Sequence, residues 1–215
     1  MENDLSNYRK SYQKKGLSKS DFSENPLELF QKWFYEVEEF GGNTEVNAMT
    51  LSTIGLDGSP KSRIVLLKKF TWEGFIFFTN YLSDKGRSIA QNPNVCLSFF
   101  WENMERQVII QGQAEKISEN LSDGYFESRP EGSKLSAWVS EQSVQVPNRS
   151  FLDEKLSTLK AKFENKEIPR PKHWGGYLVK PIRMEFWQGQ PDRLHDRICC
   201  TLQENFEWKI ERLAP

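Results

Sequence analysis

Hydrophobic residues recur at two different periods along this chain. Phe30, Trp33, Phe34, Val37 and Phe40 recur at helical spacing, Asn25-Pro26 supplies a cap with proline at the first helical position, and Gly41-Gly42 ends the run. The pattern predicts a helix whose aromatic stripe is core. From Val46 the period falls to two. Residues 46–54, 61–69 and 75–79 read as strands joined by Gly55-Leu-Asp-Gly-Ser-Pro60 and Thr71-Trp-Glu-Gly74, both hairpin-type connections. A short helix over 83–91 stops at Asn92-Pro93, and 94–101 with 105–117 forms another hairpin through Asn103. Further helices are predicted over 118–128, over 134–140 starting at Ser133, and over 150–165 with Leu152, Leu156, Leu159 and Phe163 facing inward. Strands over 176–187, 192–202 and 206–213 complete the pattern. Short strands joined by tight turns predict a mainly β protein with added helices (α+β), its antiparallel sheet closed or nearly closed into a barrel.

Residues 1–24 are polar and carry Arg9, Lys10, Lys14, Lys15 and Lys19. They are expected to form a mobile N-terminal arm, and 25–215 a single domain; the composition of 1–24 taken alone favours a plain disordered tail. Net charge over the 215 residues is −1, so no global field draws the chain to nucleic acid or anionic lipid, and any anion site has to be local. No apolar run approaches a membrane span, and Cys96, Cys199 and Cys200 lack metal-type spacing. Reduced thiols in a cytoplasmic protein without a bound metal are the simplest account. Fifteen Phe, seven Trp and six Tyr suit packing and stacking on flat ligands. Dinucleotide, P-loop and hydrolase-elbow motifs do not occur.

Several local patterns bear on chemistry. Read as a strand, the stretch from Arg193 puts Arg193, His195 and Arg197 on one face and Leu194 and Ile198 on the other, with Trp187 across the Gly189–Pro191 turn. A histidine between two guanidiniums suits a bound planar anion; solvated arginines paired with Asp192 and Asp196 fit the same pattern. Arg63-Ile-Val-Leu-Leu-Lys68 is an apolar strand between two cations of opposite parity. Thr79-Asn-Tyr-Leu-Ser-Asp-Lys85 leaves a strand and opens a helix, either a phosphate cradle or an ordinary cap by Ser83. Tyr125 and Arg129 lie four apart on one helix, close to Ser133, and together suit a second phosphate. Gln107 and Gln142-Ser143 place polar amides among apolar residues, where backbone or the edge of a ligand ring satisfies them. Two phosphate sites beside a stacked, amide-recognised ring fit a flavin mononucleotide next to a phosphorylated substrate.

Trp187-Gln-Gly with Arg193-Leu-His-Asp-Arg197, the ending Glu211-Arg-Leu-Ala-Pro215, Arg63-Ile-Val-Leu-Leu-Lys68, Ser128-Arg-Pro and Ala137-Trp-Val-Ser-Glu-Gln-Ser143 closely resemble the pyridoxine (pyridoxamine) 5′-phosphate oxidase family, in order from about Arg9 to Pro215. The resemblance implies an FMN-binding split β-barrel and a homodimer with each FMN in a cleft between subunits. It implies oxidation of pyridoxine or pyridoxamine 5′-phosphate to pyridoxal 5′-phosphate, with dioxygen reduced to hydrogen peroxide. By motif, Arg63, Ile64, Val65, Leu66, Leu67, Lys68, Phe78, Thr79, Lys85, Gln107, Gln142, Ser143, Trp187 and Arg197 would hold FMN. Tyr125, Arg129 and Ser133 would grip the substrate phosphate, with Lys68 also reaching the substrate. Arg193 and His195 would contact the pyridine side, Arg9 and Tyr12 would close over it, and Arg197, His195 and Arg193 would form the catalytic group. The chain departs from the family pattern with Asp84 where arginine is usual, Phe78 where tyrosine is frequent and Ser136 where glycine is usual. A split-barrel flavin reductase and a non-catalytic FMN or pyridoxal phosphate carrier are the rival expectations.

Overall fold

Asn25 keeps an extended backbone and its side chain accepts the Leu27 N–H at 3.0 Å, so helix α1 (Pro26–Phe40) starts with one of its unpaired donors satisfied. The computed structural model describes residue 12, 16–42 and 45–215. Leu27, Leu29, Phe30, Trp33 and Val37 are buried in α1, Phe30 meeting the Phe99 ring at 5.2 Å and Trp33 the Phe186 ring at 5.4 Å. The predicted stripe is corrected at its end, for Phe40 is 65% exposed. Steps of three and four from Phe30 through Trp33 and Val37 lead to Gly41, which is buried, and leave Phe40 outside.

Eight strands follow: β1 (Ala48–Ile54), β2 (Pro60–Thr71), β3 (Gly74–Asn80), β4 (Asn94–Trp101), β5 (Arg106–Lys116), β6 (Trp174–Gln188), β7 (Asp196–Leu202) and β8 (Trp208–Leu213). Their order in the sheet is β3-β2-β1-β4-β5-β6-β7-β8. β3 also pairs antiparallel with β6, from Phe75 opposite Val179 to Asn80 opposite Trp174, which closes the first six into a barrel. β7 and β8 extend the sheet antiparallel beyond β6. Strict alternation buries Met49, Leu51 and Thr53 in β1 and Val95, Leu97, Phe99 and Trp101 in β4, the period-two pattern seen in the sequence. Between strands lie helices α2 (Asp84–Gln91), α3 (Glu119–Glu127), α4 (Glu131–Val139) and α5 (Arg149–Lys162).

The chain falls into two compact units, one from Met1–Thr50, Leu97–Gln111 and Pro181–Pro215, the other from Leu51–Cys96 and Gly112–Lys180. In the first, Phe22, Trp33 and Phe186 pack edge to face, and Leu17, at 5% exposure, is buried although it lies in the polar arm. In the second, Phe126, Leu135, Ala137, Ile168 and Trp174 form a cluster on which Leu156, Leu159 and Phe163 of the α5 region rest.

Two expected elements are corrected. The strand predicted from residue 192 begins at Asp196, because Pro191–Arg193 is a 3-10 turn in which Asp192 and Arg193 take left-handed φ of 54° and 62°. Arg193, His195 and Arg197 therefore do not alternate on one strand face, and Leu194 is 71% exposed while Ile198 is fully buried. The helix predicted to start at Ser133 starts at Glu131, with Pro130 as its extended N-cap residue and the Ser133 N–H donating to the Pro130 carbonyl at 2.9 Å.

Candidate functional site

The second unit holds a cavity of about 440 Å³ lined by residues of β2, β3, α2, α3, α4 and the start of β6. Ile64, Val65, Leu66 and Lys68 line it from β2, whereas Arg63 and Leu67 do not. Leu67 is buried opposite Phe77, and the register then slips so that Lys69 faces Ile76. Lys68 is the extra residue of this β-bulge, which turns its side chain toward the cavity. Arg63 donates to the Leu51 and Lys61 carbonyls and to Thr53 Oγ1 at 3.3, 2.9 and 2.8 Å.

At the far end of β3, Phe78 and Thr79 line the cavity, and Ser83 caps α2 by accepting the Gly86 N–H. Lys85 is only 8% exposed; its Nζ donates to Gln142 Oε1 at 2.8 Å, and Thr79 Oγ1 donates to the same oxygen at 3.3 Å. Burial, then the nearby Arg63 guanidinium, lowers the Lys85 pKa to about 8, with Asp84 opposing. Two crowded cations of this kind are relieved by an anion. Ser143, in the left-handed region at φ 75°, accepts the Asp84 N–H at 3.2 Å, which ties the loop carrying Gln142 to the start of α2. Asp84 spends its carboxylate on Arg87 at 2.7 Å, both side chains being about half exposed.

Tyr125 and Arg129 also line the cavity. Tyr125 stacks on Phe78 at 3.9 Å, and the Arg129 guanidinium lies over the Trp174 ring at 4.5 Å. Arg129 Nη1 is buried without a hydrogen-bond partner among the described residues. Burial lowers the Arg129 pKa and raises that of Tyr125, each countered by the other group. Ser133 sits in the first turn of α4 and is not a lining residue; Ser136 is, its hydroxyl donating to the Gly132 carbonyl at 2.7 Å.

The first unit carries a separate group. Trp187 and His195 rings lie 4.7 Å apart, and the Tyr12 ring meets both edge-on at 5.6 Å. His195 Nδ1 accepts the Gln190 N–H at 3.1 Å, so in the neutral ring the proton resides on Nε2. Trp187 lies opposite Arg197 in the β6–β7 ladder. Arg197 grips the buried Glu185 through Nε at 2.9 Å and Nη2 at 2.8 Å, and Nη1 donates to the Ala214 carbonyl at 2.8 Å. Arg193 is exposed in the 3-10 turn, Gln107 is half-buried in β5, and Arg9 lies outside the described residues.

Residues 36–162 match the family described as pyridoxamine 5′-phosphate oxidase, and residues 174–215 match the pyridoxine 5′-phosphate oxidase C-terminal dimerisation region. The chain belongs to the pyridoxamine 5′-phosphate oxidase family. It is 65% identical to the pyridoxine/pyridoxamine 5′-phosphate oxidase of Flavobacterium johnsoniae over 99% of each chain. It is 51% identical to that of Christiangramia forsetii over 100% of each. PhzG from Burkholderia lata 383, solved with tetrahydrophenazine-1-carboxylic acid, matches with a TM-score of 0.85 at 28% identity, covering 91% of this chain and 95% of that one. Within this oxidase family fold, the sequence reading left out Asn80, Ser140 and Trp174, which line the cavity, and Glu185, which holds Arg197. Glu185 had a visible signal, a lone carboxylate between Met184 and Phe186 in an apolar strand.

Proposed function

We propose that the protein is a flavin-dependent oxidase converting pyridoxine or pyridoxamine 5′-phosphate to pyridoxal 5′-phosphate. The observation that carries this reading is the pairing, in the lining of one cavity, of Lys85, a cation crowded by the nearby Arg63 guanidinium, with Arg129, whose buried Nη1 has no hydrogen-bond partner among the described residues. Two anionic groups answer both needs, and the stacked Phe78, Tyr125 and Trp174 rings give the cavity a flat apolar wall. The donor set therefore fits FMN beside a phosphorylated substrate. Arg63 to Lys68, Phe78, Thr79, Lys85, Gln142 and Ser143 would hold FMN, and Gln107, Trp187 and Arg197 would meet it in the assembled homodimer.

When bound, FMN would supply the two-electron redox chemistry that couples oxidation of the substrate at C4′ to reduction of dioxygen to hydrogen peroxide. Tyr125 and Arg129, which line the cavity, would hold the substrate phosphate, with Ser133 of the first turn of α4 as the third expected contact and Lys68 turned toward the same cavity by its bulge. Arg197 stabilises negative charge as it gathers during transfer. His195, with Nδ1 occupied by the Gln190 N–H, offers an Nε2–H donor that orients the substrate, beside Arg193 and Tyr12. No helix among the described residues is long and apolar enough to cross a membrane; we place the enzyme in the cytoplasm.

The purified protein is expected to show flavin absorbance and, on addition of pyridoxamine 5′-phosphate in air, to form pyridoxal 5′-phosphate and peroxide in equal amounts. A yellow protein inert to that substrate would support a carrier, and one that consumes reduced nicotinamide instead would support a reductase. Asp84 is expected to matter little. Its carboxylate is already paired with Arg87 and half exposed, so Asp84→Asn should tighten FMN by no more than about fivefold in a titration of the apoprotein.

A further inference from the structure

Asp196, the first residue of β7, follows His195 directly and carries a closed set of contacts that the proposed chemistry does not use. One carboxylate oxygen accepts the Leu17 N–H at 2.9 Å, and the other pairs with Arg212 Nη1 of β8. Arg212 Nη2 then donates to the Leu17 carbonyl at 2.8 Å. Both backbone groups of Leu17 are thus held by one ion pair, and its side chain is buried at 5% exposure. Gly16 permits the approach, because a Cβ there would stand 3.1 Å from Asp196 Oδ2. Five residues before Leu17, the Tyr12 ring rests on Trp187 and His195, so close to Gly189 that a Cβ there would meet Tyr12 Cγ at 2.7 Å.

We propose that the Asp196–Arg212 pair is a positioning device for substrate binding: it clamps the backbone at Leu17 and thereby seats Tyr12 on the Trp187/His195 ring pair. The pair is tied to the segment bearing Tyr12 rather than to substrate, so it acts through Tyr12. The inference rests on the oxidase reading only for its kinetic consequence; the clamp itself is testable without turnover. A helix-cap or sheet-edge role would leave Leu17 free of side-chain bonds from both ends of its peptide, which is not the arrangement found.

The test uses the full-length holoenzyme and four variants: Asp196→Ala, Arg212→Met, Tyr12→Ala and Gly189→Ala. Loss of charge-assisted bonds of this kind is expected to raise the substrate KM about tenfold in Asp196→Ala and Arg212→Met, with kcat nearly unchanged. Tyr12→Ala should raise it to a similar extent, and Asp196→Ala combined with Tyr12→Ala should be no worse than Tyr12→Ala alone. Gly189→Ala should match Tyr12→Ala by displacing the ring. Independently, trypsin cleavage after the exposed Lys19 should quicken in Asp196→Ala and Arg212→Met but not in Tyr12→Ala or Gly189→Ala. Unchanged cleavage in the clamp variants, or a KM effect of Asp196→Ala that adds to that of Tyr12→Ala, overturns the proposal. A wild-type protein without oxidase turnover overturns the functional reading instead, and the cleavage pattern still decides the clamp.

Discussion

Arg197→Met is expected to lower oxidase turnover by roughly 10²-fold, the usual consequence of removing one preorganised positive donor from a site where charge develops. The same change should also destabilise the fold, for a separate reason. Glu185 is 8% exposed and takes two of its contacts from Arg197; without them it retains Arg183 at 3.7 Å, itself engaged by donating to Cys199 Sγ at 3.0 Å. A carboxylate left in that state costs on the order of 2 kcal/mol, below the penalty for a fully buried, wholly unpaired charge because Arg183 remains. The two effects separate in the double variant. Adding Glu185→Gln to Arg197→Met should restore most of the thermal stability, since a neutral amide needs no counter-charge, and should leave turnover low. Recovery of turnover together with stability would reduce Arg197 to a structural partner of Glu185. Wild-type rates in the single variant would remove its assigned role altogether.

The barrel was legible because its information is local and periodic. Alternation in β1 and β4, the Asn25-Pro26 cap and the Gly55–Pro60 and Thr71–Gly74 turns each specify one answer from a few adjacent residues. Motif resemblance carried the site residues further than their chemistry alone did. The strand is expected from Asp192 because charged and apolar residues alternate from Arg193 onward, yet Asp192 and Arg193 are both left-handed and break the ladder there. Polarity patterns carry no information about the sign of φ at Asp192, a residue type that tolerates either. Lys68 illustrates the opposite case. Parity along β2 gives Lys68 the opposite face to Arg63, as expected, but the bulge that aims it depends on the register with β3, a long-range property absent from the residues of β2. The Leu17 clamp was hidden for the same reason: its partners lie 179 and 195 residues away in sequence.

Lys85 predicts a pH dependence whose sign follows from its burial. In the free protein its pKa stands near 8, below the ordinary 10.5, because the charged form is desolvated and faces Arg63. A bound phosphate favours the ammonium and raises that pKa, so binding takes up a proton wherever the free lysine has lost one. FMN affinity should therefore be flat from pH 7 to about 8 and then fall by nearly tenfold per pH unit toward pH 9, where proton uptake appears as a buffer-dependent binding enthalpy. Riboflavin, which lacks the phosphate, should bind with no such slope. Lys85→Met should weaken FMN about 10²-fold at pH 7 and abolish the slope, leaving riboflavin affinity little changed. Stability of the apoprotein moves the other way. The unfolded chain binds the Lys85 proton more tightly, so burying the ammonium costs most below pH 8 and the cost fades as pH rises from about 8 toward 10.5. Apo Lys85→Met should accordingly unfold at a higher temperature than apo wild type at pH 7, with the gap narrowing by pH 10. A slope that survives in Lys85→Met, or one that riboflavin shares, would place the titrating group elsewhere and leave the phosphate to Arg63 alone.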